Sequence, residues 1–111
     1  MTFEDAANQF RQFRDERDWG QFHNPKDVAL SISLEAAELL ELFQWSGTAV
    51  DVPARREQMA QELADILIYC VAFADATGID IPAAMESKLA LNTRKYPADK
   101  ARGSAKKYDE L

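Results

Sequence analysis

The residues of this chain best suited to chemistry are carboxylates spaced three apart inside apolar surroundings. In "SLEAAELLELFQW", residues 33–45, they are Glu35, Glu38 and Glu41. At about 100° per residue on a helix, Val28 and Leu42 fall within roughly 20° of Glu35, and Leu39, Ile32 and Phe43 continue along one flank. Lys26, Ser33 and Gln44 mark the opposite, solvated side. Glu38 borders the apolar stripe beside Trp45, roughly 60° from Glu35, whereas Glu41 turns toward water. In "LADILIYCVAFA", residues 63–74, Asp65 is the only charge. Glu62 precedes it by three positions, on a face shared with Met59, Ile66, Tyr69 and Phe73. A helix this apolar all round reads as a buried one.

One E-x-x-E pair is usually a solvated face. Two pairs on the apolar sides of separate helices need neutralising, because an isolated buried carboxylate is costly or gives up its charge. Arginine is a poor candidate: Arg55 and Arg56 precede the apolar part of their helix, and Arg11, Arg14 and Arg17 read as a solvated face. A cation from outside fits better. Four carboxylates with no clustered nitrogen or sulfur ligands describe a hard site for Mg²⁺ or Mn²⁺. Such an ion points to phosphoryl chemistry, in which it neutralises developing charge and activates water. A di-iron bundle would need Glu-x-x-His pairs, and the single histidine, His23, lies in a loop.

The elements that must carry these residues read as four helices with short connections, an all-α fold. Thr2 and Asp5 form a capping signal, and Phe3, Ala6, Ala7, Phe10 and Phe13 recur at helical spacing until about Trp19-Gly20. "GQFHNPK" is a loop with Gly20 and Asn24-Pro25 as breakers. A second helix is predicted from about Asp27 to Trp45. A third covers roughly 54–76 and is closed by Gly78. A fourth opens at Asp80 and Pro82 and ends before Pro97. The domain spans 1–97, and the small, polar residues 98–111 read as a flexible tail.

The segments together resemble the MazG-like, all-α nucleoside triphosphate pyrophosphohydrolases, in particular the dCTP pyrophosphatase branch. The likeness covers roughly residues 3–97. It is carried by "RDERDWGQFHNPKDVALSISLEAAELLELFQW", "QELADILIYCVAFA" and "IDIPAAMESKLALNTRKYP". The resemblance implies a four-helix bundle subunit whose core is completed by oligomerisation, usually a homotetramer built as a dimer of dimers. It implies Glu35, Glu38, Glu62 and Asp65 as Mg²⁺ ligands, with Glu38 orienting or deprotonating the water. The implied reaction splits the bond between the α and β phosphates, giving NMP and pyrophosphate, in the service of nucleotide-pool cleaning. The same resemblance puts His23 and Trp45 in the base pocket, and Tyr69 and Asn92 near sugar or base. Lys88, Arg94, Lys95 and Tyr96 fall at phosphate-binding positions.

Trp45 has a second reading as a core aromatic at a helix end, His23 as a cap of the next helix, and Trp19 as either pocket wall or packing. The basic residues also suit a helix C-terminus. Two departures bear on the detail. Leu34 stands where the family often has a further glutamate, which leaves the metal count open, and Thr93 stands where dCTP-type proteins tend to carry a basic residue. dUTP and phosphoribosyl-ATP are the alternative substrates, and a non-catalytic nucleotide-binding helical oligomer is the alternative of another class.

Composition is consistent with these expectations. With 111 residues, 47% hydrophobic and 29% charged, the chain can form one modest core. Residues 1–87 carry 6 Lys/Arg against 16 Asp/Glu, and residues 88–111 carry 7 against 3. An acidic body argues against binding a nucleic-acid polymer by phosphate neutralisation, while the basic end could meet a small phosphorylated ligand. No apolar run approaches the roughly 20 residues that cross a bilayer. The acidic start lacks a signal-peptide core, so the expected compartment is the cytoplasm. The single Cys70 lies in an apolar run and reads as a core residue.

Overall fold

Local sequence signals set the helix boundaries. A computed structural model describes all 111 residues. Helix α1 (Phe3–Glu16) starts with a capping box: the Asp5 N–H donates to Thr2 Oγ1 at 3.1 Å and the Thr2 N–H to Asp5 Oδ2 at 2.9 Å. A 3₁₀ turn at Trp19–Phe22 follows, with the Asp18 backbone left-handed (φ 54°). Helix α2 (Pro25–Glu41) is capped by Asn24, whose side chain accepts the Asp27 N–H at 2.9 Å. Asn24-Pro25 is therefore the start of this helix rather than part of the loop, because proline's fixed φ and missing N–H suit the first helical turn.

Regular α2 ends at Glu41, short of the expected Trp45. The next N–H groups reach back only three residues, from Leu42 to Leu39, Phe43 to Leu40 and Gln44 to Glu41. The chain tightens into turns and then passes Gly47 at φ 62°, so Trp45 stands on a turn. Helix α3 (Arg56–Thr77) follows a 3₁₀ turn at Pro53–Arg55 and closes on Gly78 at φ 73°, a conformation glycine adopts without steric cost.

The first of two compact units, Met1–Gly78, holds α1, α2 and α3. Its main packing is α2 against α3. The Arg55 Nη1 donates to the Leu42 carbonyl at 3.1 Å, and Glu35 lies beside Glu62 and Asp65. Moving back along α2 from Leu42 to Glu35 therefore moves forward along α3, so the two helices run antiparallel. The buried core is small and made of short side chains: Ala7, Val28, Val71, Ala72 and Ala74. Val28, on the Glu35 meridian, is the most deeply buried large side chain at 2% exposure.

Helix α3 is not buried all round as its composition predicted. Leu63, Leu67 and Ile68 stay exposed, as do Leu30 and Leu34 on α2, because three helices are too few to cover every apolar face. Cys70 is half-buried, and burial pushes its thiol pKa up. Nor is Arg14 a solvated residue: its side chain is only 16% exposed, against Asp75.

The second unit, Ile79–Leu111, holds α4 (Ile81–Lys95), capped by Asp80, which accepts the Ala83 N–H at 2.9 Å. Its polar end contains one helical turn, α5 (Ala98–Ala101), and a 3₁₀ turn at Tyr108–Glu110. There the Tyr108 ring meets Tyr96 edge-on at 6.1 Å, and Lys95 Nζ lies 5.0 Å over the Tyr108 ring. No single helix is long and apolar enough to cross a membrane.

Candidate active site

The antiparallel α2–α3 pair brings the carboxylates of both helices together. Glu35, Glu62 and Asp65 can each turn one oxygen to within 4.8 Å of the others. Glu38 adds its carboxylate to the surroundings of both Glu35 and Glu62. Glu35 and Glu62 are half-buried, whereas Glu38, Asp65 and Glu41 are exposed. The Oε2 atoms of Glu35 and Glu62 are fully buried and have no hydrogen-bond partner. Burial, reinforced by Glu38 and then by Asp65 and Glu62, pushes Glu35 up to about 7. Burial and then Glu38 raise Glu62 as well. Burial disfavours the charged form and nearby like charges reinforce it, which is why both acids shift upward.

No arginine relieves this cluster. Arg11 and Arg14 are spent on Asp75, and Arg55 on the Leu42 carbonyl. A buried polar atom without a partner is destabilising, and more so if charged. Two orphaned oxygens among oxygen-only ligands fit a hard divalent cation, and such a cation would satisfy both.

Asp65 also opens onto a groove of about 670 Å³ between α1 and α3, within the roughly 300–1,000 Å³ typical of small-molecule sites. Phe3, Phe10, Phe13 and Trp19 wall it on one side, Tyr69 and Leu67 on the other, and His23 closes one part. His23 is half-buried and lies near-parallel to Phe10, ring centres 6.3 Å apart and planes at 19°. Its Nδ1 is buried and unpartnered, a polar group held in an aromatic wall. Trp19 packs edge-on to Phe13 at 5.5 Å. It therefore both lines the groove and packs on α1.

The remaining candidates are distributed as follows. Trp45 is 86% exposed on the turn after α2, so it is not a core aromatic, and it does not line the groove. Lys88, Asn92, Arg94 and Lys95 lie on α4 and Tyr96 caps it, all within the second unit. Asn92 is half-buried, and its carbonyl accepts the Tyr96 N–H at 2.8 Å. The sequence shows the α1 phenylalanines only as residues at helical spacing and does not show them as groove walls. It also passed over Asp75, although a carboxylate in the last turn of a helix opposes the helix dipole and calls for a partner.

A model of the MazG-like family matches residues 30–111. The chain belongs to the MazG-like family. It is 44% identical to human dCTP pyrophosphatase 1 over 99% of its own length and 68% of the human protein. It is 42% identical to the rat protein of the same name over the same shares. Among solved structures it superposes on a pyrophosphatase from Archaeoglobus fulgidus with a TM-score of 0.78 at 40% identity, covering 85% of this chain and 91% of that one. The fold is thus the all-α MazG-like one that the helix pattern and the resemblance predicted.

Proposed function

We propose that this MazG-like chain is a divalent-metal-dependent hydrolase of dCTP or a modified dCTP, releasing the nucleoside monophosphate and pyrophosphate. Its class is nucleoside triphosphate pyrophosphohydrolase, and the dCTP preference is supported by likeness to the mammalian dCTP pyrophosphatases. The observation that carries the reading is the pair of buried, unpartnered oxygens on Glu35 and Glu62, beside Asp65 and next to an aromatic groove.

Glu35, Glu62 and Asp65, with Glu38 at the edge, would hold Mg²⁺, with Mn²⁺ able to substitute. The bound ion supplies charge neutralisation at the phosphates and lowers the pKa of water. Glu38, exposed and beside Glu35 and Glu62, accepts the proton of the attacking water and is the catalytic residue. Attack forms a new P–O bond, and the anhydride between the α and β phosphates breaks. His23 and Tyr69 contact the base or sugar in the groove, and the flat aromatic walls exclude water from it. Trp45, with its ring free of the core, stacks on the base. Lys88, Asn92, Arg94, Lys95 and Tyr96 bind substrate, the cationic ones taking charge on the phosphates. The exposed Leu30, Leu34 and Leu63, none of them in the groove, support an oligomer, the tetramer of two dimers, as the working form.

A panel of all NTPs and dNTPs with Mg²⁺ tests this, with products separated as NMP plus pyrophosphate or NDP plus orthophosphate. Fastest release of dCMP and pyrophosphate from dCTP is the expected result. Preference for dUTP would correct the substrate, and no turnover at stoichiometric enzyme would overturn the reading.

A further inference from the structure

The carboxylate at the far end of α3 is tied into the groove through two intermediaries. Asp75 accepts three hydrogen bonds: Arg11 Nε at 3.0 Å and Arg14 Nη1 at 2.8 Å on Oδ2, and Arg11 Nη2 at 3.1 Å on Oδ1. The Arg14 guanidinium is held at a second edge, Nε donating to Asp15 Oδ1 at 2.9 Å. Two carboxylates on one planar group fix its plane, which a flexible ammonium would not allow.

Arg14 then lies beside two elements of the groove wall. Its guanidinium carbon lies 5.6 Å from the centre of the Phe10 ring, which stacks on His23. Its Cδ and Nε pass beside the turn before His23, 3.9 Å from where a Cβ on Gly20 would stand. The Gly20 carbonyl accepts the His23 N–H at 3.1 Å. Phe10 and His23 line the groove, whereas Arg14 and Asp75 do not. Asp75 is ten positions beyond Asp65 on the same helix, roughly 15 Å along its axis, too far to touch the carboxylate cluster.

We propose that Asp75 is a positioning residue for nucleobase binding: through Arg14, Phe10 and the Gly20 turn it fixes the His23 imidazole in the groove wall. The proposal rests on the groove being the base pocket. It assigns to Arg14 the role of a strut, and it makes base affinity, rather than the rate of phosphate chemistry, the quantity Asp75 controls.

His23 is the only histidine, so its imidazole Cε1–H gives one assignable proton NMR signal. In Asp75→Ala that signal should lose the ring-current displacement due to Phe10 and move toward the position of an unstructured histidine. The KM for dCTP should rise by about tenfold, equivalent to ~1.4 kcal/mol, with kcat within about twofold, the pattern of lost uniform binding. Inhibition by inorganic tripolyphosphate, which has no base, should be unchanged. Asp75→Glu should restore part of the KM. If Asp75→Ala does not fold, Arg14→Lys keeps the charge but loses the planar group over Phe10, and the same changes are expected of it.

An unmoved imidazole signal in a folded variant would overturn the proposal. So would a moved signal with KM unchanged, or a fall in kcat with KM unchanged. If wild-type protein turns over no nucleotide, the functional reading fails by itself, and the imidazole signal still decides whether Asp75 positions His23.

Discussion

Because Glu35 sits at about 7 in the metal-free protein, cation binding must displace its proton, and metal affinity should be steeply pH-dependent where ordinary carboxylates are silent. Its carboxyl is about 90% protonated at pH 6 and about 10% at pH 8, from the ratio of proton concentration to the acid constant. About 0.9 proton per ion should therefore be released from Glu35 at pH 6 and about 0.1 at pH 8. Glu62 is shifted in the same direction, by burial and then by Glu38. Below pH 7 the apparent affinity should fall about tenfold per pH unit for each proton displaced. Calorimetric titration with Mg²⁺ or Mn²⁺, in two buffers of different ionisation enthalpy, measures the release directly. Glu35→Gln should lose the Glu35 share. The linkage has a stability counterpart. A folded pKa above the unfolded 4.5 means that the metal-free fold loses stability as pH rises from about 4.5 through about 7, where the unfolded chain ionises first. Equal affinity at pH 6 and pH 8 with no proton release would refute the crowding of these carboxylates.

Further outcomes follow from the same geometry. Glu35→Gln and Asp65→Asn should abolish hydrolysis while leaving the metal-free melting temperature equal or higher, since each removes a charge from a repelling cluster; differential scanning fluorimetry alongside a pyrophosphate assay checks both. Mg²⁺ at a hundred times its dissociation constant should stabilise the wild type by about 2.7 kcal/mol, raising the melting temperature on the order of 10 °C, and should leave Glu62→Gln nearly unmoved. Leu30→Glu, on the open apolar face of α2, should yield a smaller species by light scattering than the wild type. The clip at Asp75 should contribute about 1–2 kcal/mol, the lower part of the range for charged hydrogen bonds because its groups are partly exposed. Burial alone would raise the Asp75 carboxyl, but the hydrogen bonds of Arg11 and Arg14 outweigh it and hold it below the ordinary range. That contribution is thus present above the unfolded pKa and lost as pH falls through the folded one, which acid titration of Asp75→Asn against wild type would show.

What could be read from the sequence was whatever depends on local periodicity and end signals. The Thr2–Asp5 box, the Gly78 stop and the Asp80-Pro82 start set three helix ends, and the wheel around Glu35 placed Val28 beside it in the core. The meeting of Glu35 with Glu62 and Asp65 was legible because both pairs lay on apolar faces and lacked cations. The end of α2 was not, since nothing in "LFQW" breaks a helix and its tightening depends on the turn toward Gly47. The apolar girth of α3 reads as a buried helix, but composition does not reveal which neighbours cover it, and Leu63 stays exposed within this chain. The pairing of Arg14 with Asp75 is not legible because it spans 61 positions, beyond the reach of any periodic pattern. The groove walls escaped for the same reason: Phe10 and Phe13 have the spacing of core residues, and only α1 lying along α3 leaves a cavity between them.

The most direct test of the proposed carboxylate site as a pyrophosphohydrolase centre is the identity of the bond it cuts. Wild-type protein with dCTP and Mg²⁺, its products resolved by phosphorus NMR, should give dCMP and pyrophosphate with no dCDP. Glu38→Gln should give neither product while still binding the metal. Release of dCDP and orthophosphate, or undiminished turnover by Glu38→Gln, would contradict it.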